Sequence, residues 1–221
     1  MDIHGIILIV IAIVEFIFGL FLFITREKGH IIYSYSLTIL GIVFWVLSNG
    51  LYRLVNTSDE ALFWVNIAHL SAGFIAVSLV YFSIVFPYQK ILLKLNHIIY
   101  FSAPFVILAY LLFATDTLIK SVNSDVPRSE VIGPTYTLFA IWFLIYMGWA
   151  FYNLIKKYHE SVGMYRPLLR LLLIGLLVSF VMGTLFNLFL PWFGGQQYFY
   201  IGTESSIVWL AFTTYIIFRK A

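Results

Sequence analysis

Ile3–Thr25 reads IHGIILIVIAIVEFIFGLFLFIT, 23 residues with a single acid, Glu15, and no proline. A helix rises ~1.5 Å per residue, so about 20 apolar residues cross a hydrocarbon core ~30 Å thick. Six more stretches of the same kind follow, Ile32–Leu54, Ala61–Phe86, Leu95–Thr115, Pro134–Ile155, Pro167–Leu190 and Tyr198–Phe218. Lipid offers the backbone no hydrogen-bond partner, so each stretch predicts a helix rather than an open strand. The expected fold is all-α, one polytopic seven-helix membrane bundle over residues 1–221. Little chain is left for a soluble domain.

Composition agrees, with 62% hydrophobic and only 10% charged residues, where ~25% charged is usual for a globular domain. The chain has no cysteine, which excludes disulfides, thiolate metal sites and a catalytic thiol. The first apolar run has no basic region before it and no small-residue cleavage site after it, so a cleaved signal peptide is not expected. The net charge of +3 gives no reason to expect a nucleic-acid partner.

The distribution of charge sets an orientation. Ten of the 13 basic residues fall on alternate loops: Arg26 and Lys28, Lys90 and Lys94, Lys156, Lys157, Arg166 and Arg170, then Arg219 and Lys220. Arg53, Lys120 and Arg128 lie on the other side, together with Asp2, Asp59, Glu60, Asp116, Asp125 and Glu130. The positive-inside rule then places the amino terminus outside and the carboxyl terminus in the cytoplasm of a plasma-membrane protein. The longest loop, Asp116–Gly133, is polar and outside, either solvated or a lid over an external opening. Pro87 and Pro191 are expected to end helices 3 and 6, and Pro104 lies inside helix 4. Gly175, Ser179, Gly183 and Asn187 form a small-residue stripe suited to packing inside the bundle.

Polar groups within a bilayer are costly, and they usually face the bundle interior or a water-filled cavity. Asn49 and Arg53 share a face of helix 2, and Asn66, His69 and Gly73 share a face of helix 3. Asn187 lies late in helix 6, and Glu204 lies with Thr203, Ser205 and Ser206 early in helix 7. All fall in the outer half of the bundle, whereas Glu15 is near the middle of helix 1. Converging faces would make either a pocket for an extracytoplasmic ligand or a set of interhelical hydrogen bonds that fix register. Arg53 and Glu204 are the expected charge partners. Glu15 is either a proton-linked switch or a neutral, hydrogen-bonded carboxyl.

Several chemistries are excluded. No helix interior carries the lysine that retinal needs, the histidines do not match in depth as haem ligands, and no HExxH, phosphate loop or nucleophile elbow is present. No cofactor, metal site or catalytic residue is expected.

Three blocks nevertheless carry a resemblance. They are Phe44-Trp45-Val46-Leu47-Ser48-Asn49-Gly50-Leu51-Tyr52 with Ala61-Leu62-Phe63-Trp64; Tyr81-Phe82-Ser83-Ile84-Val85-Phe86-Pro87; and Leu171 to Gly183 with Asn187-Leu188-Phe189-Leu190-Pro191 and Tyr215-Ile216-Ile217-Phe218-Arg219. The sequence resembles the amino-terminal seven-helix sensor region of bacterial and archaeal histidine kinases over nearly its whole length. The resemblance implies a membrane input module whose helix 7 passes a shift to a dimeric cytoplasmic output. The chain ends at Ala221 without a phosphoacceptor helix or ATP-binding domain, so the expectation is a non-enzymatic module, either an excised sensor or a free-standing relative with a separate partner.

The candidate sensing residues are therefore Asn49, Arg53, Asn66, His69, Asn187 and Glu204, with Glu15 behind them. Expected partners are the bilayer, a small-molecule or lipid ligand in the outer half, a cytoplasmic kinase or other output, and a second copy of the chain. Two rivals stand beside this reading. A small transporter or channel would use Glu15 or Glu204 in coupling and would show broken helices or inverted repeats, neither of which the sequence displays. An assembly subunit would place the helix 6 stripe toward lipid and keep the polar cluster dry.

Overall fold

The computed structural model describes residues 2–88, 95–123 and 129–220, and their side chains except at 95–98, 100, 101, 196 and 217–220. Lys90, Lys94, Asp125 and Arg128 of the charge pattern lie outside the described residues, as do the side chains of His97, Arg219 and Lys220. The helices run α1 (Ile3–Thr25), α2 (His30–Leu54), α3 (Ser58–Val85), α4 (Leu95–Phe113), α5 (Tyr136–Glu160) and α6 (Tyr165–Gly183), then the short α7 (Phe199–Glu204) and α8 (Ser206–Lys220). Strands β1 (Ile119–Asn123) and β2 (Ser129–Ile132) form an antiparallel hairpin between α4 and α5.

Local chemistry sets the helix ends. Asp2 caps α1 by accepting from the amides of His4 (2.9 Å) and Gly5 (3.4 Å). Thr57 caps α3 by accepting from Glu60, and Asp59 and Glu60 favour the positive end of that helix. At the far end of α3, Lys157 of α5 reaches the carbonyls of Ser83 (2.8 Å), Ile84 (2.6 Å) and Phe86 (2.5 Å). A cation there supplies donors to carbonyls that the helix itself leaves unpaired.

α2 and α3 form the centre of the bundle. α1 buries only Gly5, Leu8, Ala12, Glu15, Gly19 and Leu22, one stripe at helical spacing, and presents apolar side chains such as Val10, Ile13 and Ile17 outward. That distribution suits a helix with one face on protein and the rest on lipid. At the α1–α2 crossing a Cβ on Gly50 would lie 3.0 Å from the Gly5 carbonyl oxygen, so the small residues set how closely these helices approach.

Among the described residues, five helices are long and apolar enough to span a membrane, counting Tyr165–Phe193 as one, and Ser102–Phe113 of α4 is a shorter apolar helix. The last two sequence-predicted spans are interrupted. The sixth passes at Gly183 into a π turn, Thr184–Phe189, and then a 3-10 turn, Leu190–Phe193, which holds Pro191. The seventh breaks at Ser205 between α7 and α8. Ser205 Oγ bonds the Gly202 carbonyl at 2.6 Å, and the Val208 amide bonds the Ser205 carbonyl at 3.1 Å, a tighter turn than an α-helix makes. Hydroxyls that compete for backbone carbonyls weaken a helix, and Gly202-Thr203-Glu204-Ser205-Ser206 is rich in them.

A cavity between the hairpin and the broken seventh helix

A cavity of about 120 Å³ lies between α2, α3, α5, α6 with its π turn, and the α7–α8 break, with β2 at its wall. Its lining is mainly apolar and aromatic, including Ile42, Trp45, Phe139, Phe143, Phe180 and Trp209. Into this wall project polar atoms that have no hydrogen-bond partner among the described residues: both carboxyl oxygens of Glu130, Thr184 Oγ1, Asn187 Nδ2 and Trp209 Nε1. Buried polar groups are nearly always paired, and each unpaired one costs about 1–3 kcal/mol. Several such groups meet on this one cavity.

Three of the sequence-predicted residues line this cavity, namely Asn49, His69 and Asn187. Asn49 donates Nδ2 to the Trp45 carbonyl at 2.7 Å. His69 Nδ1 lies 2.8 Å from the Val65 carbonyl, which fixes the Nδ1–H tautomer and leaves Nε2 as an acceptor. Asn187 Oδ1 lies 3.3 Å from the Thr203 hydroxyl. Glu15 stands one residue behind the wall. It is fully buried and accepts from the hydroxyl of cavity-lining Ser206 at 2.7 Å.

The other three lie elsewhere. Asn66 donates to the Leu112 carbonyl at 3.0 Å, tying α3 to the last turn of α4. Arg53 pairs not with Glu204 but with Asp2, Nη2 to Oδ2 at 2.7 Å, and its guanidinium lies 5.4 Å from the Tyr200 ring centre. Glu204 faces His4 at 3.7 Å, and His4 stacks on Tyr200 at 3.8 Å. The capped start of α1 thus brings Asp2 and His4 between α2 and α7, intercepting both charges. Asp2 is partly buried, yet the Arg53 guanidinium and the amides of His4 and Gly5 hold its carboxyl below the usual range.

The sequence reads Glu130 as an acid of the outer loop, solvated or part of a lid, and the structure buries it. The loop folds into a hairpin in which Val122 pairs with Glu130, and directly paired side chains share one face. Val122 and Glu130 are both buried and Val131 is exposed, as a two-residue period requires. Leu118 and Ile119 bury alongside and hold the hairpin on the bundle. Burial pushes the Glu130 carboxyl up from 4.5 to about 8.

A pH dependence follows. Glu130 is harder to ionise folded than unfolded, so its contribution to stability is complete below pH 4.5 and is lost as pH rises through about 8. The titratable groups around it are Tyr136 of α5 and, across the cavity, His69 of α3. The melting temperature should fall between those pH values, and Glu130→Gln should flatten that fall. An unchanged slope in the variant would remove Glu130 as its source.

The break also ties the cavity to its neighbours. Ser179 of α6 donates to the Ser205 carbonyl at 2.8 Å, the same carbonyl that accepts from the Val208 amide at the break. Gly175, one turn earlier on the same face, lies where a Cβ would meet Phe212 at 2.9 Å. The small-residue stripe therefore faces the bundle interior, with Gly175 on α8, Ser179 on the break, Gly183 toward Trp45 of α2 and Asn187 on α7. Tyr35 of α2 extends the contact, with its hydroxyl 3.1 Å from both Thr213 and Thr214.

A family model described as the N-terminal 7TM region of histidine kinase matches residues 7–220. The chain belongs to that family. No curated protein and no solved structure matches it. Membership in the histidine kinase 7TM family makes this a membrane protein of sensory signal transduction, and the region is an input region rather than a catalytic domain. The match begins at Ile7, inside α1, and takes in the helices that follow, including the break between α7 and α8.

Proposed function

We propose that this chain is a membrane sensor whose cavity receives a small ligand and whose α8 carries the response to a cytoplasmic output such as a histidine kinase. The observation that carries this reading is the cluster of unpaired polar atoms on one cavity wall, a wall that includes Ser206 and Trp209 from the first turn of α8. A ligand that satisfies those atoms touches the helix leading to the carboxyl terminus. Differential affinity for two α8 positions is then enough to shift the population between them. In this reading the hairpin end faces outside and α8 ends in the cytoplasm, as the alternation of basic loops supports. The single seven-span domain acts in the plasma membrane, with a second copy or a separate kinase as its output partner.

The test couples the chain to a histidine kinase output in proteoliposomes and follows phosphorylation. Thr184→Val and Asn187→Leu remove two of the orphan groups. Both should insert normally and change basal or signal-dependent phosphorylation at least about tenfold, the equivalent of 1.4 kcal/mol. Wild-type behaviour in both would count against the cavity. The transport rival has one observation in its favour, the broken seventh helix, since broken helices carry substrate sites in transporters. Solute or proton flux that disappears in Glu15→Gln would support it over the sensor.

A further inference from the structure

The cavity's lining specifies a ligand class, an inference that rests on the cavity being the ligand site. Glu130 is the one acid in the wall, and no lysine or arginine accompanies it among the described residues. Its side chain is 5% exposed and both oxygens lack partners. An anionic ligand would meet a carboxyl and no cation. A hydrocarbon would leave the carboxyl unsatisfied. A hard divalent ion asks for several oxygen ligands, and a single acid in an aromatic wall does not provide them.

An organic ammonium answers each feature. Its N–H groups bond the carboxylate, and its positive charge is attracted to the faces of aromatic rings, which Trp45, Phe139, Phe143 and Trp209 supply in the same wall. Asn187 Nδ2 and Trp209 Nε1 are donors without acceptors, so an oxygen on the same molecule completes the set. We propose that the cavity binds a small amine that also bears a hydroxyl or carbonyl oxygen, with its nitrogen on Glu130 and its apolar body on the aromatic wall. The carboxyl, protonated in the empty cavity, releases its proton to solvent as the ammonium takes its place.

Valinol is a suitable probe, and the diol in which a hydroxyl replaces its amine is the neutral control. Binding to the full chain in nanodiscs is followed near neutral pH by tryptophan emission, since Trp45 and Trp209 line the cavity, and by melting temperature. Valinol should give a saturable shift and bind at least about tenfold more tightly than the diol. Glu130→Gln should weaken valinol about tenfold or more and leave the diol unchanged, with the variant's own melting curve reporting that it folds. Equal binding of valinol and diol, undiminished valinol binding in Glu130→Gln, or no valinol binding to the wild type would each overturn the amine assignment. Those results leave the phosphorylation effects of Thr184→Val and Asn187→Leu in place; loss of those effects as well would bring down the cavity reading itself.

Discussion

Gly133→Ala should detach the hairpin from the bundle and destabilise the protein by about 3 kcal/mol or more. A Cβ at this position would lie 2.0 Å from the Thr117 carbonyl oxygen and 2.4 Å from its carbon. Those atoms are backbone, so no side-chain rotation relieves the clash. The same segment is pinned from both sides, by Gly133 N–H to Leu118 O at 2.8 Å and Thr135 N–H to Thr117 O at 3.0 Å. Relief therefore requires the hairpin base to part. Glu130 lies three residues earlier, on β2, and would leave the cavity with it. Thermal melting in nanodiscs should show a drop of roughly 6–12 °C, with loss of ligand response. A wild-type melting curve would contradict the described packing of Gly133 on Thr117.

Lys157→Met is expected to cost about 2–3 kcal/mol. Methionine keeps the apolar stem but removes three donors from the Ser83, Ile84 and Phe86 carbonyls, and hydrogen bonds to a charged group contribute about 1.5–3 kcal/mol even when they act singly. The loss is not threefold, because the three bonds share one ammonium and their contributions do not add. Neighbouring Asn153 still donates to Ser83 Oγ at 3.0 Å, and it limits unravelling to the last turn. Denaturation of the two proteins in matched detergent gives the difference. Lys157→Arg should recover part of it, since a guanidinium brings donors in a fixed fork rather than a movable ammonium.

Lys157 also illustrates how far sequence reading goes. As one of ten basic residues on alternate loops it reads as an orientation signal, and nothing in its neighbours announces a cap on a helix over seventy residues away. The apolar spans were legible because lipid imposes one length and one backbone solution. The interruptions were less so. Thr184–Phe189 looks like continuing helix, since a π turn changes no composition, and the break at Ser205 is written only in the hydroxyl-rich run from Thr203 to Ser206.

Site residues divide along the same line. Asn49, His69 and Asn187 were visible because a polar group within an apolar span stands out against lipid. Glu130 was hidden because acids in loops are ordinarily solvated, and its burial depends on strand alternation in a hairpin of nine described residues. No two-residue period of apolar residues announces it: Ile119 and Val122 stand three apart across an irregularity in the pairing, and Val131 and Ile132 are adjacent. Arg53 and Glu204 were matched by sign and depth, and a sequence pattern does not show that Asp2, folded back as a helix cap, reaches Arg53 first.

The central claim is that filling the cavity moves α8. Spin labels at Ile141 on α5 and Tyr215 on α8, both 51% exposed, report that distance in nanodiscs. Ala72 lines the cavity, and Ala72→Phe fills it without any assumption about the ligand. The account predicts that the interspin distance shifts by about 1–2 Å or more, the scale of helix shifts in switching proteins, in a variant that still melts cooperatively. Superimposable distance distributions in native and filled proteins would contradict it.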